Sequence, residues 1–316
     1  MSAPRILAVL GPTASGKTGL AVELCRRIGG EAVSCDSMQI YRDMNIGTAK
    51  PDAAERRGVP HHMMDICDPG EEYSVARYVE EADAAIGDIL SRGKVPVVVG
   101  GTGLYADSLI SGLSFAGRQE DMCLRRELGE RYEKEGGEAL HAELASIDPE
   151  AAARLHPNDA RRIIRALEIY AHTGETLTEH DRKTRERPPK YRALRMILWP
   201  EPREMMYARI DARVDEMLRA GLMEEVRALL SRGLPPECTA LQAIGYKELA
   251  GVLRGECTLE EAREELCRAT RRYAKRQLTW FRREPGAELL SYRDAAGYAA
   301  CIDRAETLSR HFLEEE

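Results

Sequence analysis

The sequence predicts an α/β fold: a P-loop NTPase-like parallel sheet core flanked by helices, with an all-helical insertion domain. Three observations carry this. A loop of the form G-x-x-x-x-G-K-[ST] occupies residues 11–18, between an apolar run and a stretch of helical period. Short apolar runs alternate with helical stretches over residues 1–114 and again from 190, the signature of a right-handed parallel sheet. From 115 to 189 strand-like runs vanish, charge density rises and helical period takes over. The expected division is a core of 1–114 with 190–316, ending in a basic helix, and a helical insertion of 115–189.

Composition sets the outer bounds. The chain has 316 residues, 43% of them hydrophobic, enough for one large or two linked domains. No apolar run reaches the ~18 residues that a membrane span needs. Met1-Ser2-Ala3-Pro4-Arg5 passes directly into the first strand, leaving no room for a signal peptide. The eight cysteines include no C-x-x-C pair, which reads as reduced thiols packed as small core residues. A cytoplasmic protein is expected. The net charge of −7 argues against a wholly basic nucleic-acid binder but allows local basic surfaces.

Taken in order, Arg5-Ile6-Leu7-Ala8-Val9-Leu10 is a buried strand. It leads into Gly11, Pro12, Thr13, Ala14, Ser15, Gly16, Lys17 and Thr18, and then into a helix over 19–28 with Leu20, Leu24 and Ile28 on one face. The glycines let backbone N–H groups point inward, and the helix aims its positive end at the same point. Lys17 adds a full charge. The Thr18 hydroxyl can hold a magnesium ion (Mg2+) bridging phosphates. The loop announces a polyphosphate without saying which molecule carries it.

A second strand, Glu31-Ala32-Val33-Ser34-Cys35, puts Asp36 at its carboxyl end, on the ligand side of a parallel sheet. A helix over 74–90 and a third strand over 95–99 follow. That strand ends in Gly100-Gly101-Thr102, where a typical P-loop NTPase has an acid to position magnesium and water. A transferase is therefore favoured over a motor or a GTPase. In the insertion, helices are expected over 124–134, 137–147 and 158–170. The last has Asn158 as cap and Ile163, Ile164, Leu167 and Tyr170 as core face. Residues 182–189 read as a basic return linker. The core resumes with a strand over 194–199. Helices follow from Pro202, from Gly221 to Leu230, and from a Thr258/Glu261 capping box to about Arg283. The stretch after Glu284 carries little pattern.

Several residues can carry chemistry, each beside a plainer reading. Asp36 is placed to take a proton from a nucleophile, or it is an ordinary turn residue. Arg209 and Arg213, four apart on one helix face, suit a phosphate clamp, or they pair with Asp211, Asp215 or Glu216. The long helix sets Arg268, Arg271, Arg272, Lys275, Arg276, Arg282 and Arg283 around Tyr273, Trp280 and Phe281. That mixture suits a phosphate backbone and unstacked bases, or a solvated helix over a packed core. Arg161, Arg162 and Arg165 form a second basic group. His61, His62 and Asp65 supply too few convergent ligands for zinc.

Together these stretches resemble the tRNA dimethylallyltransferase (tRNA isopentenyltransferase) family of bacterial type. The matching stretches are GPTASGKT at 11–18, DSMQIYRDMNIGTAKP at 36–51, PHHMMDICDP at 60–69, GGTGLY at 100–105 and HPNDARRIIRALE at 156–168. They continue with RIDARVDEMLRAGLMEEV at 209–226, QAIGYKE at 242–248 and YAKRQLTWFRR at 273–283. The resemblance implies transfer of a dimethylallyl group from dimethylallyl diphosphate to the exocyclic amino nitrogen of the adenosine 3′ to the anticodon, in tRNAs that read U-starting codons. The P-loop and Arg209 would then hold a diphosphate leaving group with Mg2+ on Thr18. Asp36 is implied as proton acceptor, with Thr102 and Arg213 close to the reacting groups.

The resemblance also implies contacts with the tRNA anticodon stem-loop. They would come from Asp36, Ser37, Met38, Gln39, Thr102 and Arg125. Further contacts are implied for Arg161, Arg162, Ile163, Ile164 and Arg165, and for Gln242, Ala243, Ile244, Gly245, Tyr246 and Lys247. The long helix would add Lys275, Arg276, Gln277, Leu278, Thr279, Trp280, Phe281 and Arg282. A monomer with no membrane partner is expected. The competing readings are a P-loop small-molecule kinase, which leaves both basic groups unexplained, and an RNA-binding nucleotide switch, which the missing strand-end acid opposes.

Overall fold

The computed structural model describes residues 3–112, 122–186, 188–284 and 286–315. The chain falls into two compact units, Met1–Gly112 with Pro189–Glu316, and Leu113–Pro188. The expected boundary between 114 and 115 lies outside the described residues.

In chain order, the first unit opens with β1 (Arg5–Leu10), α1 (Lys17–Ile28), β2 (Gly30–Ser34), α2 (Ala53–Arg56) and β3 (His61–His62). It continues with α3 (Val75–Ser91), β4 (Val95–Gly100) and α4 (Gly103–Ser111). The second unit comprises α5 (Met122–Glu135), α6 (Gly137–Ile147), α7 (Pro149–Arg154), α8 (Ala160–Thr173) and α9 (Leu177–Glu186). The chain then returns to the first unit as β5 (Arg192–Pro200), α10 (Arg203–Arg219), α11 (Leu222–Leu230), α12 (Tyr246–Leu253), α13 (Leu259–Phe281), β6 (Glu288–Tyr292) and α14 (Ala295–Glu314).

The strands of the first unit form one parallel sheet in the order β3-β2-β4-β1-β5-β6. β1 is apolar throughout because both its faces are covered. Ile6, Ala8 and Leu10 pack with Val98 against Tyr78, Ile86 and Leu109. Leu7 and Val9 pack with Val97 and Met196 against Leu20, Leu24 and Phe312. Each such buried aliphatic side chain contributes roughly 1.5–3 kcal/mol. The chain leaves β1 toward β2 and leaves β4 toward β5, in opposite directions across the sheet. A crevice therefore opens at the carboxyl ends of β1 and β4, where open α/β sheets bind ligands. A third apolar cluster, with Ile40, Tyr41, Met44, Val214, Leu222, Tyr246 and Leu266, ties α10 to α13 to the segment after β2.

Two strands were not expected. β3 has two polar residues and no periodicity to reveal it. β6 has a mixed burial pattern, with only Leu290 and Tyr292 buried. The tail after Glu284 is ordered structure: Asp294 caps α14, accepting from the Gly297 N–H at 2.7 Å.

The second unit closes its own core with Leu128, Leu140, Leu144, Ile163 and Leu167. Three expectations are corrected there. The residue at the N-cap of α8 is Asp159, not Asn158, whose N–H donates to His156 Nδ1 at 3.1 Å. Tyr170 is 40% exposed, because the buried stripe runs through Ala166, Leu167 and Ile169. The expected linker is helical as far as Glu186, at the end of α9. None of the described helices is long and apolar enough to cross a membrane.

Candidate active site

The P-loop runs from β1 into α1. Gly11 passes so close to β5 that a Cβ would lie 2.8 Å from the Leu198 carbonyl oxygen. Gly16, at the start of α1, has φ 83° and offers no side-chain cap, so the first N–H groups of α1 are open to an anion. Lys17 Nζ donates to the Pro12 carbonyl at 3.2 Å. Burial pushes its pKa down to about 8, against the pull of the Asp36 carboxylate, and Arg213 pushes it the same way as burial. The Ser15 hydroxyl is buried without a hydrogen-bond partner.

Asp36 lies just beyond β2. Its Oδ1 accepts from the N–H groups of Met38 at 2.9 Å and Gln39 at 3.4 Å. The turn reading of Asp36 is thus realised by one oxygen, while Oδ2 makes no hydrogen bond among the described residues. Thr102 brackets this turn: its N–H donates to the Cys35 carbonyl at 3.3 Å, and its hydroxyl accepts from Ser37 N–H at 3.2 Å.

Arg213 is the least expected feature. Among the described residues it makes no hydrogen bond and no ion pair, yet it is buried deeply enough that its pKa is lowered, with Glu55 and Asp36 opposing. Two of the three acids that threatened to neutralise it are engaged elsewhere: Asp211 holds Arg271, and Asp215 holds Arg263 at 2.6 Å, while Glu216 is exposed and makes no ion pair with Arg213 among the described residues. A partly buried guanidinium without a partner is costly and is the arrangement expected of a site awaiting an anion. Arg209, one turn earlier, donates instead to the Tyr292 hydroxyl.

Lys17, Thr18, Asp36 and Arg213 share a cavity of about 300 Å³, whose lining does not include Thr102 or Arg209. One end carries Lys17, Thr18 and Arg213, with Asp36 beside them. The wall is apolar, made by Met64, Val99, Ile210, Val214, Met217, Leu222, Ile244 and Leu266. Ser37, Met38, Gln39, Gln242, Ala243, Gly245, Tyr273 and Arg276 also line it. Glu225 shapes the part of the lining at Gly47: it accepts from the N–H groups of Asn45 and Ile46 at 2.9 Å and of Gly47 at 3.1 Å.

The expected RNA-facing residues divide. On α13, Lys275, Arg276, Thr279 and Trp280 are exposed, as is Arg282 at its carboxyl cap. Trp280 is fixed by a 2.8 Å hydrogen bond to Asp107. Leu278 and Phe281 are core residues, and so are Tyr246 and Ile163. Their side chains pack inward. Gln277 is likewise turned inward. Its Oε1 accepts from Thr13 N–H at 2.8 Å and its Nε2 donates to the Gly101 carbonyl at 2.8 Å. Replacing Gln277 by Leu is expected to leave RNA affinity unchanged and to cost about 2 kcal/mol of stability, read by chemical denaturation. The amino-terminal half of the basic helix is also spent internally, with Arg268 paired to Glu265 and Arg271 to Asp211.

In the second unit, Arg161 and Arg162 are exposed and Ile164 is half-buried. Arg165 and Arg125 both hold the buried Glu168, at 2.7 and 3.0 Å. Burial works against the Glu168 carboxylate, but these two arginines outweigh it and hold its pKa below the usual range. In the first unit Lys247 is exposed. His61 and His62 are engaged with the Val59 carbonyl and with Glu31, and Asp65 with Lys50.

Reasoning from the sequence alone missed Tyr292 and Tyr298, which reach the P-loop from β6 and α14. No local pattern marks them.

A sequence model described as IPP transferase matches residues 39–284, and one described as isopentenyl transferase matches 4–65. A tRNA dimethylallyltransferase of Desulforudis audaxviator is 50% identical over 93% of this chain and 94% of its own. One of Geobacter metallireducens is 51% identical over 89% and 90%. The crystal structure of the full-length tRNA isopentenylpyrophosphate transferase of Bacillus halodurans aligns with a TM-score of 0.69 at 42% identity, covering 98% of this chain and all of that one. A eukaryotic dimethylallyltransferase, captured acting on tRNA, aligns at 0.86 with 33% identity over 98% of this chain and 79% of its own. The chain belongs to the IPP transferase family, alongside the tRNA dimethylallyltransferases.

Proposed function

We propose that this chain is a tRNA dimethylallyltransferase that moves a dimethylallyl group from dimethylallyl diphosphate to the exocyclic amino nitrogen of the adenosine 3′ to the anticodon, in tRNAs reading U-starting codons. The observation that carries this reading is a single cavity lined by the cations Lys17 and Arg213, the carboxylate Asp36 beside them, and a set of apolar side chains. A five-carbon allylic diphosphate has the same division.

In the reaction the allylic carbon–oxygen bond breaks and a carbon–nitrogen bond forms. Negative charge grows on the departing diphosphate. Lys17, the N–H groups at the start of α1 and the unpaired Arg213 are placed to meet it, in a site where such donors count for more than in water. The amino nitrogen sheds a proton as it bonds to carbon, and Asp36 Oδ2 takes that proton. Thr102 holds the Asp36 turn in place. The apolar wall keeps water from the allylic cation, which would otherwise be captured as the alcohol.

A magnesium ion fits the donor set. The Thr18 hydroxyl lines the cavity and makes no hydrogen bond among the described residues. Hard oxygen donors of hydroxyl and diphosphate are what magnesium prefers. Among the described residues no cluster of three His, Cys, Asp or Glu side chains stands ready to hold a metal by itself, so the diphosphate would bring most of the ligands. Bound there, the ion would neutralise charge on the leaving group.

The acceptor is read as the anticodon stem-loop of one tRNA per monomer, met in the cytoplasm. The carboxyl-terminal half of α13 in one unit and Arg161 and Arg162 in the other each offer cations to phosphate. Changing Arg161 and Arg162 to Ala is expected to weaken stem-loop binding at low salt. The slope of log affinity against log salt should fall by about one per arginine removed, as measured by fluorescence anisotropy. The target base must leave its stack to enter the cavity.

The kinase reading is not favoured, since it leaves the apolar part of the lining and both basic groups without a role. Diphosphate release separates the two. We expect release only when stem-loop RNA and dimethylallyl diphosphate are both present. ATP consumption with small metabolites and no RNA would instead support the kinase.

A further inference from the structure

We infer that Tyr292 and Tyr298 are positioning residues of the diphosphate cradle, fixing the peptide planes after Ser15 and Gly16 so that the next N–H groups face the anion. The inference rests on the reading of the P-loop as a diphosphate site. Both tyrosines lie beyond residue 284, where the IPP transferase match ends.

The geometry is direct. The Tyr292 hydroxyl donates to the Ser15 carbonyl at 2.7 Å, and the Tyr298 hydroxyl donates to the Gly16 carbonyl at 2.8 Å. A trans peptide is planar, so its C=O and N–H point in opposite directions. Drawing the Ser15 carbonyl outward turns the Gly16 N–H inward. Drawing the Gly16 carbonyl outward does the same for the Lys17 N–H. Two adjacent donors of the cradle are thereby held in place before any ligand arrives, and none of the reorganisation falls on the binding step.

The surroundings fit this role. A Cβ on Gly16 would lie 2.9 Å from Tyr298 Cε2, so the ring rests against bare backbone. The two rings meet edge-on with centroids 5.3 Å apart. Arg209 donates to the Tyr292 hydroxyl and lies 5.8 Å from its ring centre. A cationic donor on a hydroxyl oxygen polarises the O–H and strengthens its own donation. Burial raises both phenol pKa values, that of Tyr298 to about 12, so both remain donors at neutral pH. Arg209 thus acts on the cradle through Tyr292.

The test titrates inorganic diphosphate with magnesium into the full chain, as wild type, Tyr292→Phe, Tyr298→Phe and the double variant. Anticodon stem-loop binding and thermal melting are measured in parallel. Each single change is expected to weaken diphosphate binding about 3- to 10-fold, and the double change more than either. RNA affinity should stay within about twofold, as expected for residues remote from the RNA surface. Phenylalanine variants that bind diphosphate as tightly as wild type would overturn the inference. So would a loss of RNA affinity in the same proportion, because that is the mark of general loosening. A wild type that binds no diphosphate would overturn the cradle reading itself, and this inference with it.

Discussion

Asp36→Asn is expected to slow prenyl transfer by about 10²- to 10⁴-fold, the usual worth of a positioned general base. The substitution is chosen for what it keeps. Asparagine retains an Oδ1 that accepts from Met38 and Gln39, so the turn survives. It replaces the open Oδ2 with an amide that cannot take a proton. Single-turnover formation of prenylated RNA measures the step, and stem-loop affinity should hold within about twofold because the turn is intact. A variant that reacts at the wild-type rate would remove Asp36 from the chemistry and leave it only the turn.

Lys17→Met is expected to lower the transfer rate by about 10²- to 10³-fold while raising the melting temperature of the free protein. The two effects have one origin. Burial holds the Lys17 pKa near 8, below the free lysine value of 10.5. The folded state therefore binds this proton less tightly than the unfolded chain does. The resulting penalty is fully present below pH 8 and fades as pH rises from 8 toward 10.5. It amounts to at most about 3 kcal/mol. A bound diphosphate reverses the balance by raising the Lys17 pKa. Binding near pH 8 should then draw in a fraction of a proton, seen by calorimetry in two buffers of different ionisation heat. The methionine variant should show no such uptake.

What could be read from the sequence was local. The apolar run before residue 11, the loop itself and the strand-end position of Asp36 all lie within about 40 residues. Their chemistry follows from spacing along the chain. The strands over 5–10 and 95–100 were legible because sheets covered on both faces need continuous apolar runs. The hidden features depend on partners far away. Arg213 loses two candidate partners because Asp211 and Asp215 pair with Arg271 and Arg263 on α13, a choice that no spacing within α10 reveals. In the sequence Gln277 looks like one more solvent-facing side chain among lysines and arginines, yet it is buried and held by Thr13 and Gly101. Phe281 and Trp280 are neighbours in sequence and differ wholly in exposure, since one faces the core and the other faces solvent. Tyr292 and Tyr298 sit in a stretch whose strand is short and mixed in polarity, so nothing local points to the P-loop.

The division of the cavity also explains why a P-loop serves a prenyl transfer. The cradle recognises diphosphate charge whatever hangs from it. Selection of the reaction falls to what surrounds it: an apolar wall where an NTPase would place water, and Thr102 where it would place an acid.

The most direct measurement is mass spectrometry of an unmodified anticodon stem-loop after incubation with the protein, magnesium and dimethylallyl diphosphate. Fragmentation should place a gain of one prenyl unit on the base of the adenosine 3′ to the anticodon, and Asp36→Asn should largely abolish it. An unchanged RNA mass, with the same protein binding both the stem-loop and diphosphate, would contradict the transferase assignment.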